Sequence, residues 1–464
     1  MTRQSTPGFS SLSLRPELNS SIEALDFEAM TSVQALSLPP ALSGHDVLAQ
    51  AKTGSGKTAA FAIATLNKLN LSDYQIQALI LCPTRELAEQ VATQARDLAK
   101  HMANTRIITL CGGRPMQPQL NSLKRNPHIV VGTPGRILKH LHKDTLQLDT
   151  VQTLVLDEAD RMLDMGFHDD IMRILSRIPA KRQTLLFSAT YPAQIKHISK
   201  TIQQDPVELR VEDNEESTQI TQLFYATTSA SKTRDLLKIL AHHQPESCLI
   251  FCNRKLHCQS LADELSKQGV HALALHGDLE QFARDQILLQ FVNRSAAVLI
   301  ATDVAGRGLD VKDLAAVVNY DLTPDPDMYI HRIGRTGRAQ AQGLAITLVE
   351  NGEEFRLDAL QQFQSGEPIR LERAGSITSE KTLGFQAPNL TLCINGGKKD
   401  KIRPTDILGA LTASSEIRGD QIGKINILDK QAYVAVERGI AGKALQILSE
   451  GKIKGRRFRS RKLA

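Results

Sequence analysis

Ala51-Lys52-Thr53-Gly54-Ser55-Gly56-Lys57-Thr58 follows a short apolar run, Asp46–Gln50, and opens an amphipathic stretch, Lys57–Leu69. A glycine-rich turn between a strand and a helix is the setting of a phosphate-binding loop. Its backbone N–H groups close around phosphate oxygens, and the helix N-terminus adds partial positive charge. Lys57 is placed to meet the β- and γ-phosphates and Thr58 to ligate Mg²⁺. The strict pattern begins with Gly, where this chain has Ala51. A plain glycine turn is the rival reading, and the strand before and the helix after argue against it.

Outward from this loop, apolar runs alternate with helical stretches. Strands are expected at Asp46–Gln50, Ala78–Cys82, Arg106–Cys111, His128–Val131, Val151–Leu156 and Gln183–Phe187, with a helix at Glu86–His101. This βαβ rhythm predicts a parallel sheet covered on both faces. Asp157-Glu158-Ala159-Asp160 ends the fifth of these strands. A carboxylate there can hold Mg²⁺ beside a phosphate loop, and Glu158 can then polarise an attacking water. An acidic surface turn is the common alternative for such a tetrapeptide alone.

Acidic and polar residues at 205–218 predict a linker. The rhythm then resumes at Cys248–Cys252, Ala272–His276, Val298–Thr302, Ala316–Tyr320 and Leu344–Val349, so a second α/β domain follows. A second linker is expected from about Gln364 to Pro388. The tail reads as strand Leu390–Ile394, helix Arg403–Leu411, hairpin strands Gly423–Leu428 and Ala432–Glu437, helix Ile440–Leu448 and strand Arg456–Lys462. That βαββαβ order is the ferredoxin-like arrangement shared with RNA-recognition motifs.

Charge follows the same division. Residues 390–464 carry 16 Lys and Arg against 7 Asp and Glu, a net +9; the remainder carries 40 against 43, a net −3. A basic tail on a near-neutral body predicts a polyanionic partner. The 464 residues suit about three domains on a ~150-residue prior. Apolar content of 41% and charged content of 23% are those of a globular protein. No apolar run is long enough to span a membrane, and the first nine residues lack a secretory signature. The six cysteines form no C-x-x-C pair, which fits a reducing cytoplasm.

In order along the chain stand Ala51–Thr58, Pro83-Thr84-Arg85-Glu86-Leu87, Gly112-Gly113, Thr133-Pro134-Gly135-Arg136, Asp157–Asp160 and Ser188-Ala189-Thr190. The second half adds Leu249–Asn253, His276-Gly277-Asp278 with Gln281 and Arg284, Ala301–Asp310, and His331-Arg332-Ile333-Gly334-Arg335-Thr336-Gly337-Arg338. With this series the chain resembles the DEAD-box RNA helicases over residues 9 to about 350. The resemblance implies two tandem RecA-like parallel-sheet domains, at 1–207 and 219–365, ahead of the RRM-like domain at 389–464. It implies ATP and Mg²⁺ as cofactors. Phe27, Thr31 and Gln34 would hold the adenine, although the usual glycine and two prolines are here Asp26, Met30 and Ser32. Phe9 stands where the family has an upstream aromatic. Lys52, Thr53, Gly54, Ser55 and Gly56 would cradle the phosphates with Ala51, Lys57 and Thr58. Asp157 would share the metal with Thr58, partly through water, and Asp310 would contact the ribose. Arg335 and Arg338 would act as arginine fingers, so catalysis should require the two lobes to close. Ser188, Thr190 and His331 would couple hydrolysis to duplex opening. Arg85, Gly113, Thr133, Arg136 and Thr302 would contact RNA backbone, which carries no sequence information.

The tail resembles the RNA-binding module of one bacterial branch of that family, through Cys393-Ile-Asn-Gly-Gly-Lys-Lys-Asp, Asp406-Ile-Leu-Gly-Ala-Leu and Tyr433-Val-Ala-Val. This implies recognition of a 23S ribosomal RNA hairpin and work on pre-50S particles, by a monomer. On its third strand only Tyr433 is aromatic, so base stacking there should be weak, and Tyr433 could equally be core. Lys398, Lys399, Lys401, Lys452, Lys454, Arg456, Arg457 and Arg459 are the better candidates for phosphate contact. Two rival readings stay open on the residues: an ATP-gated RNA clamp that does not unwind, and a DNA helicase built on the same core.

Overall fold

The computed structural model describes residues 7–51, 54–191, 193–211, 220–306, 314–337, 343–364, 368–377, 386–413 and 416–463. Between residues 217 and 218 the chain divides into two compact units. Among the described residues the first unit holds a parallel sheet of seven strands. These are β1 (Val47–Gln50), β2 (Ala78–Leu81), β3 (Ile107–Leu110), β4 (Ile129–Gly132), β5 (Thr153–Leu156), β6 (Gln183–Ser188) and β7 (Val207–Arg210). They lie in the order β3-β4-β2-β5-β6-β1-β7. Every residue of β2, β4, β5 and β6 is buried. Their centres are therefore apolar runs, at 78–81, 129–131, 154–156 and 185–187, as expected of strands covered on both faces. One face packs Leu18, Phe61 and Val91 over Ile80 and Phe187; the other packs Ile137, Met162 and Ile174 over Leu79 and Leu154.

The second unit opens with an equivalent sheet: β8 (Ile220–Thr227), β9 (Cys248–Cys252), β10 (Ala272–Leu275), β11 (Val298–Thr302), β12 (Ala316–Asn319), β13 (Gly343–Glu350) and β14 (Leu371–Arg373). Their order is β10-β11-β9-β12-β13-β8-β14. Both tandem domains are thus parallel α/β sheets of RecA type. Two corrections concern the expected linkers. Residues 207–210 form β7, paired with β1, and residues 371–373 form β14, paired with β8. Both are edge strands with wet faces, so neither shows an apolar run: β7 alternates half-buried and exposed, and β14 is wholly exposed. Residues 212–218 of the first expected linker, and 365–367 and 378–385 of the second, lie outside the described residues.

The tail is an antiparallel sheet of β15 (Asn389–Ile394), β16 (Ile422–Ile427), β17 (Ala432–Glu437) and β18 (Ser460–Lys462), in the order β16-β17-β15-β18. Helices Pro404–Thr412 and Ala441–Glu450 cover one face. Leu392, Ile394, Val434 and Val436 point into that core with Ile407, Leu411 and Leu448. The expected βαββαβ order is present. The final strand is shorter than expected, because Arg456–Arg459 are loop.

The tail's other sheet face is covered rather than open. Helix Gln281–Val292 of the second unit lies against it, with Leu289 packed on Cys393, Tyr433 and Leu463. Gln286 Nε2 donates to the Tyr433 hydroxyl at 3.1 Å, and Tyr433 in turn donates to Gln431 at 2.7 Å. Asn293 Nδ2 and Ser295 Oγ meet Thr391 Oγ1 at 3.3 and 2.7 Å. Asn389 donates to the carbonyls of Asn293 and Arg294, at 3.0 and 3.2 Å. All six cysteines are buried free thiols, and among the described residues no helix is long and apolar enough to cross a membrane.

Candidate functional site

In open parallel sheets, ligands gather at the carboxyl ends of the strands. In the first unit those ends form two groups. β5, β6 and β1 are neighbours, so their carboxyl ends bring together Asp157, Ser188 and Ala51. β3, β4 and β2 are neighbours too, so Gly112–Gly113, Thr133 and Arg85 follow at the other half of the same edge.

At the first group the Ala51 N–H donates to the Ser188 carbonyl at 3.0 Å. Lys52 and Thr53 lie outside the described residues. Gly54 and Gly56 take φ of +85° and +97°, and Gly56 caps helix Lys57–Lys68. Lys57 is buried, and its Nζ donates to the Ala51 carbonyl at 2.8 Å, so the ammonium lies inside the curl of the loop. Ser55 and Thr58 are half-buried beside it.

Gln34 ties this loop to the helix Ser32–Leu42. Its Oε1 accepts from the Thr31 N–H at 2.9 Å, and its Nε2 donates to the Gly56 carbonyl at 3.2 Å. A Cβ on Gly56 would come within 2.6 Å of that Nε2, so any side chain there would push Gln34 away. Thr31 Oγ1 is buried beside them without a hydrogen-bond partner. An unsatisfied buried hydroxyl next to a bifunctional amide suits a ring with donor and acceptor edges. Phe27 packs partly buried with its ring 6.1 Å from Phe9, so both aromatics belong to one patch at the margin of the core.

Asp157 and Glu158 are buried directly after β5. Burial pushes the Asp157 carboxyl up to about 7, opposed by the Lys57 ammonium and reinforced by Glu158. A carboxylate so confined gains most from a cationic partner, which fits a divalent metal held with Thr58. Glu158 adopts φ 51° and ψ 53°, which turns the chain sharply into helix Ala159–Asp164. Asp160, which the motif alone assigns no separate role, has a definite one. Its Oδ2 accepts from the Ala189 and Thr190 N–H groups at 3.2 and 3.0 Å and from Thr190 Oγ1 at 2.9 Å. The acidic tetrapeptide therefore clamps the Ser188–Thr190 turn. Ser188 Oγ is buried without a partner.

At the second group the Thr84 hydroxyl accepts from the Leu87 N–H and starts the helix that carries Arg85. The Arg85 guanidinium lies across the two glycines. A Cβ on Gly113, whose φ is +72°, would fall 2.0 Å from Arg85 Nη1. The glycine pair is thus a bed for Arg85. Arg136 donates from Nη2 to the Arg114 carbonyl at 2.9 Å, and Thr133 is buried at the start of its helix. Gly113→Val should displace Arg85 and, if Arg85 meets RNA phosphate as the resemblance implies, remove one charged contact. Such a contact contributes ~1.5–3 kcal/mol, so the RNA concentration giving half-maximal ATPase stimulation should rise by ~10–100-fold. An RNA titration of steady-state ATPase measures this, and an unshifted midpoint would refute the role of Arg85.

In the second unit Thr302 ends β11, while His331 and Arg332 lie on helix Pro326–Ile333 with the buried Arg335 just beyond. Arg338 and Asp310 lie outside the described residues. In the tail, all eight basic candidates are exposed on two loops. One follows β15 and holds Lys398, Lys399 and Lys401. The other precedes β18 and holds Lys452, Lys454, Arg456, Arg457 and Arg459. Lys454 Nζ donates to the Lys401 carbonyl at 3.0 Å, which joins the loops at one end of the sheet. Tyr433 is not part of this surface. It is buried under helix Gln281–Val292 and closed to base stacking, because its neighbour along the chain's fold, not its own core, covers it.

Residues 31–198 match the DEAD/DEAH box helicase family, 231–340 the helicase conserved C-terminal domain, and 391–462 the DbpA RNA binding domain. The ATP-dependent RNA helicase DbpA of Escherichia coli (strain K12) is 49% identical over 98% of this chain and 99% of its own length. The DEAD-box ATP-dependent RNA helicase CshA of Bacillus licheniformis is 39% identical over 89% of this chain and 83% of its own. Among solved structures, S. cerevisiae Dbp5 bound to RNA and ADP BeF3 superposes with a TM-score of 0.71 at 32% identity, covering 79% of this chain and 95% of that one. Mss116p bound to ssRNA and AMP-PNP gives 0.71 at 28% identity, covering 80% of each chain.

Proposed function

The chain belongs to the DEAD-box ATP-dependent RNA helicases, and from that premise we propose that it separates short duplexes in 23S ribosomal RNA during large-subunit assembly. It is an ATP-using enzyme with an RNA-binding C-terminal domain. The observation that carries the finer reading is the joined pair of basic loops at the tail's end, in a chain 49% identical to a DbpA.

In the proposed mechanism, Gln34, Thr31 and Phe27 hold the base. Ala51 to Thr58 hold the phosphates, and Thr58 and Asp157 would hold Mg²⁺, which would supply charge neutralisation at the phosphoryl group. Glu158 takes the proton of the attacking water. Arg335 and Arg338 meet the charge that spreads over the γ-phosphoryl oxygens, and Asp310 meets the ribose. Arg85, Gly113, Thr133, Arg136 and Thr302 hold one strand by phosphate and 2′-OH, so the core is indifferent to sequence. Ser188, Thr190 and His331 couple the two events. The tail supplies the address and acts within a monomeric cytoplasmic protein.

The deciding experiment is ATPase stimulation by 23S ribosomal RNA fragments, with the full chain and with a chain ending before residue 390. The full chain should respond to one fragment far more strongly than to the others, and the truncated chain should lose that preference while keeping a response to generic RNA. If six or more of the basic residues meet phosphates, affinity for the preferred fragment should fall by ~10³-fold or more between 50 and 200 mM salt. Equal stimulation by all fragments, or a flat salt response, would overturn the addressing role. Strand displacement on a duplex tethered to the preferred fragment separates unwinding from an ATP-gated clamp. DNA in place of RNA tests the remaining rival.

A further inference from the structure

Three charged residues that belong to no motif of the sequence, Lys232, Asp321 and Glu350, join a string of side chains in the second unit that runs into the motifs. Lys232 begins helix Lys232–His243 and is almost wholly buried. Its Nζ donates to Asp321 Oδ1 at 2.7 Å and to Glu350 Oε1 at 2.6 Å, and lies 4.7 Å from the centre of the Tyr320 ring. Burial alone would lower this ammonium; the two carboxylates outweigh it and raise it, so the charge stays on. Asp321 Oδ2 accepts from the Asn253 N–H at 2.8 Å. Asn253 Oδ1 accepts from Arg332 Nη2 at 2.8 Å, and the Asp321 carbonyl accepts from Arg332 Nη1 at 2.7 Å. Arg332 is 1% exposed and grips Asp303 with two bonds of 2.7 Å.

The end of this string away from Lys232, the Arg332–Asp303 pair, adjoins two segments with proposed roles. Asp303 follows Thr302, proposed to touch RNA. Arg332 stands between His331 and Arg335, proposed to act on coupling and on the γ-phosphate. Buried hydrogen bonds in a low dielectric are stiff, and a guanidinium held by fixed acceptors has one orientation. We propose that Lys232 is a positioning residue for the helicase reaction: by fixing Asp321, it sets Asn253 and Arg332, and so holds the RNA-side and phosphate-side segments of this domain in one register. This rests on the roles proposed above for Thr302 and Arg335.

The string has an asymmetry that makes it testable. Asp321 passes the constraint onward, whereas Glu350 only shares the ammonium. Lys232→Met in the full chain should lower RNA-saturated ATP turnover by about tenfold or more and raise the RNA concentration for half-maximal stimulation. Binding of a fluorescent ATP analogue in the absence of RNA, where the base and phosphate loop of the first unit carry most of the proposed contacts, should change by less than about twofold. Lys232→Arg should recover most of the loss. Asp321→Asn should reproduce the Lys232→Met defect, and Glu350→Gln should leave turnover within about twofold of the parent. A role confined to stability predicts something else: turnover would follow melting temperature across all four variants, with Asp321→Asn and Glu350→Gln alike. That pattern, or a parental RNA response in Lys232→Met, overturns the proposal. Should Lys232→Met not fold, the comparison of Asp321→Asn with Glu350→Gln decides alone. If the parent chain itself shows no RNA-stimulated turnover, the functional reading beneath the proposal has failed instead.

Discussion

Glu158→Gln should cut RNA-stimulated ATP hydrolysis by ~10²–10⁴-fold, the usual contribution of a positioned general base, while nucleotide still binds. The substitution keeps volume and hydrogen-bonding reach but removes the group that can take a proton from water. Gln can also hold the left-handed turn at φ 51° about as well as Glu, because the two share a backbone and a Cβ. The clamp that Asp160 places on the Ser188–Thr190 turn is untouched. A coupled ATPase assay at saturating RNA measures the loss, and equilibrium binding of an ATP analogue checks that the site survives. Turnover within tenfold of the parent would remove Glu158 from the proposed chemistry.

Arg335→Ala should cost ~10³–10⁵ in turnover, the range seen when an arginine finger is lost from phosphoryl transfer. Arg335→Lys should rescue little of this, because an ammonium is a point charge and cannot span two oxygens of a planar, spreading charge. Lys57 and Glu158 lie in the first unit and Arg335 in the second, so neither part of the chain should hydrolyse ATP at full speed alone. Single-turnover hydrolysis with excess enzyme isolates the chemical step from product release. A chain ending near residue 217 that turned over ATP as fast as the whole would sink this assignment.

How far the residues foretold these sites depends on how local each signal is. The phosphate loop is legible because its chemistry is written in eight consecutive residues flanked by a strand and a helix. The central strands are legible because burial on both faces demands unbroken apolar runs such as Ala78–Leu81. Two of the edge strands escape for the opposite reason: Val207–Arg210 and Leu371–Arg373 pair on one side only and keep polar residues. Side-chain partnerships across the fold escape altogether. Nothing local says that Asp160 holds Thr190 thirty residues on, or that Lys232 reaches Asp321. Tyr433 shows the limit best. Its place on the third strand of an RRM-like sheet predicts weak base stacking and leaves a core position open. It is a core residue, and the core it joins is completed by a helix from the preceding domain, which nothing local announces.

That covered face changes what the tail can be. A module on a slack cord would hunt through a volume set by its tether, and would meet duplexes at many distances and angles. Seated by Leu289 of helix Gln281–Val292 and by Asn293 and Ser295 just after it, this one is closer to a ruler. An RNA hairpin gripped by the loops at Lys398–Lys401 and Lys452–Arg459 would be held at a set span from Thr302. Which neighbouring helix gets opened would then be chosen by the architecture of the folded RNA, through the length and pitch between grip and target.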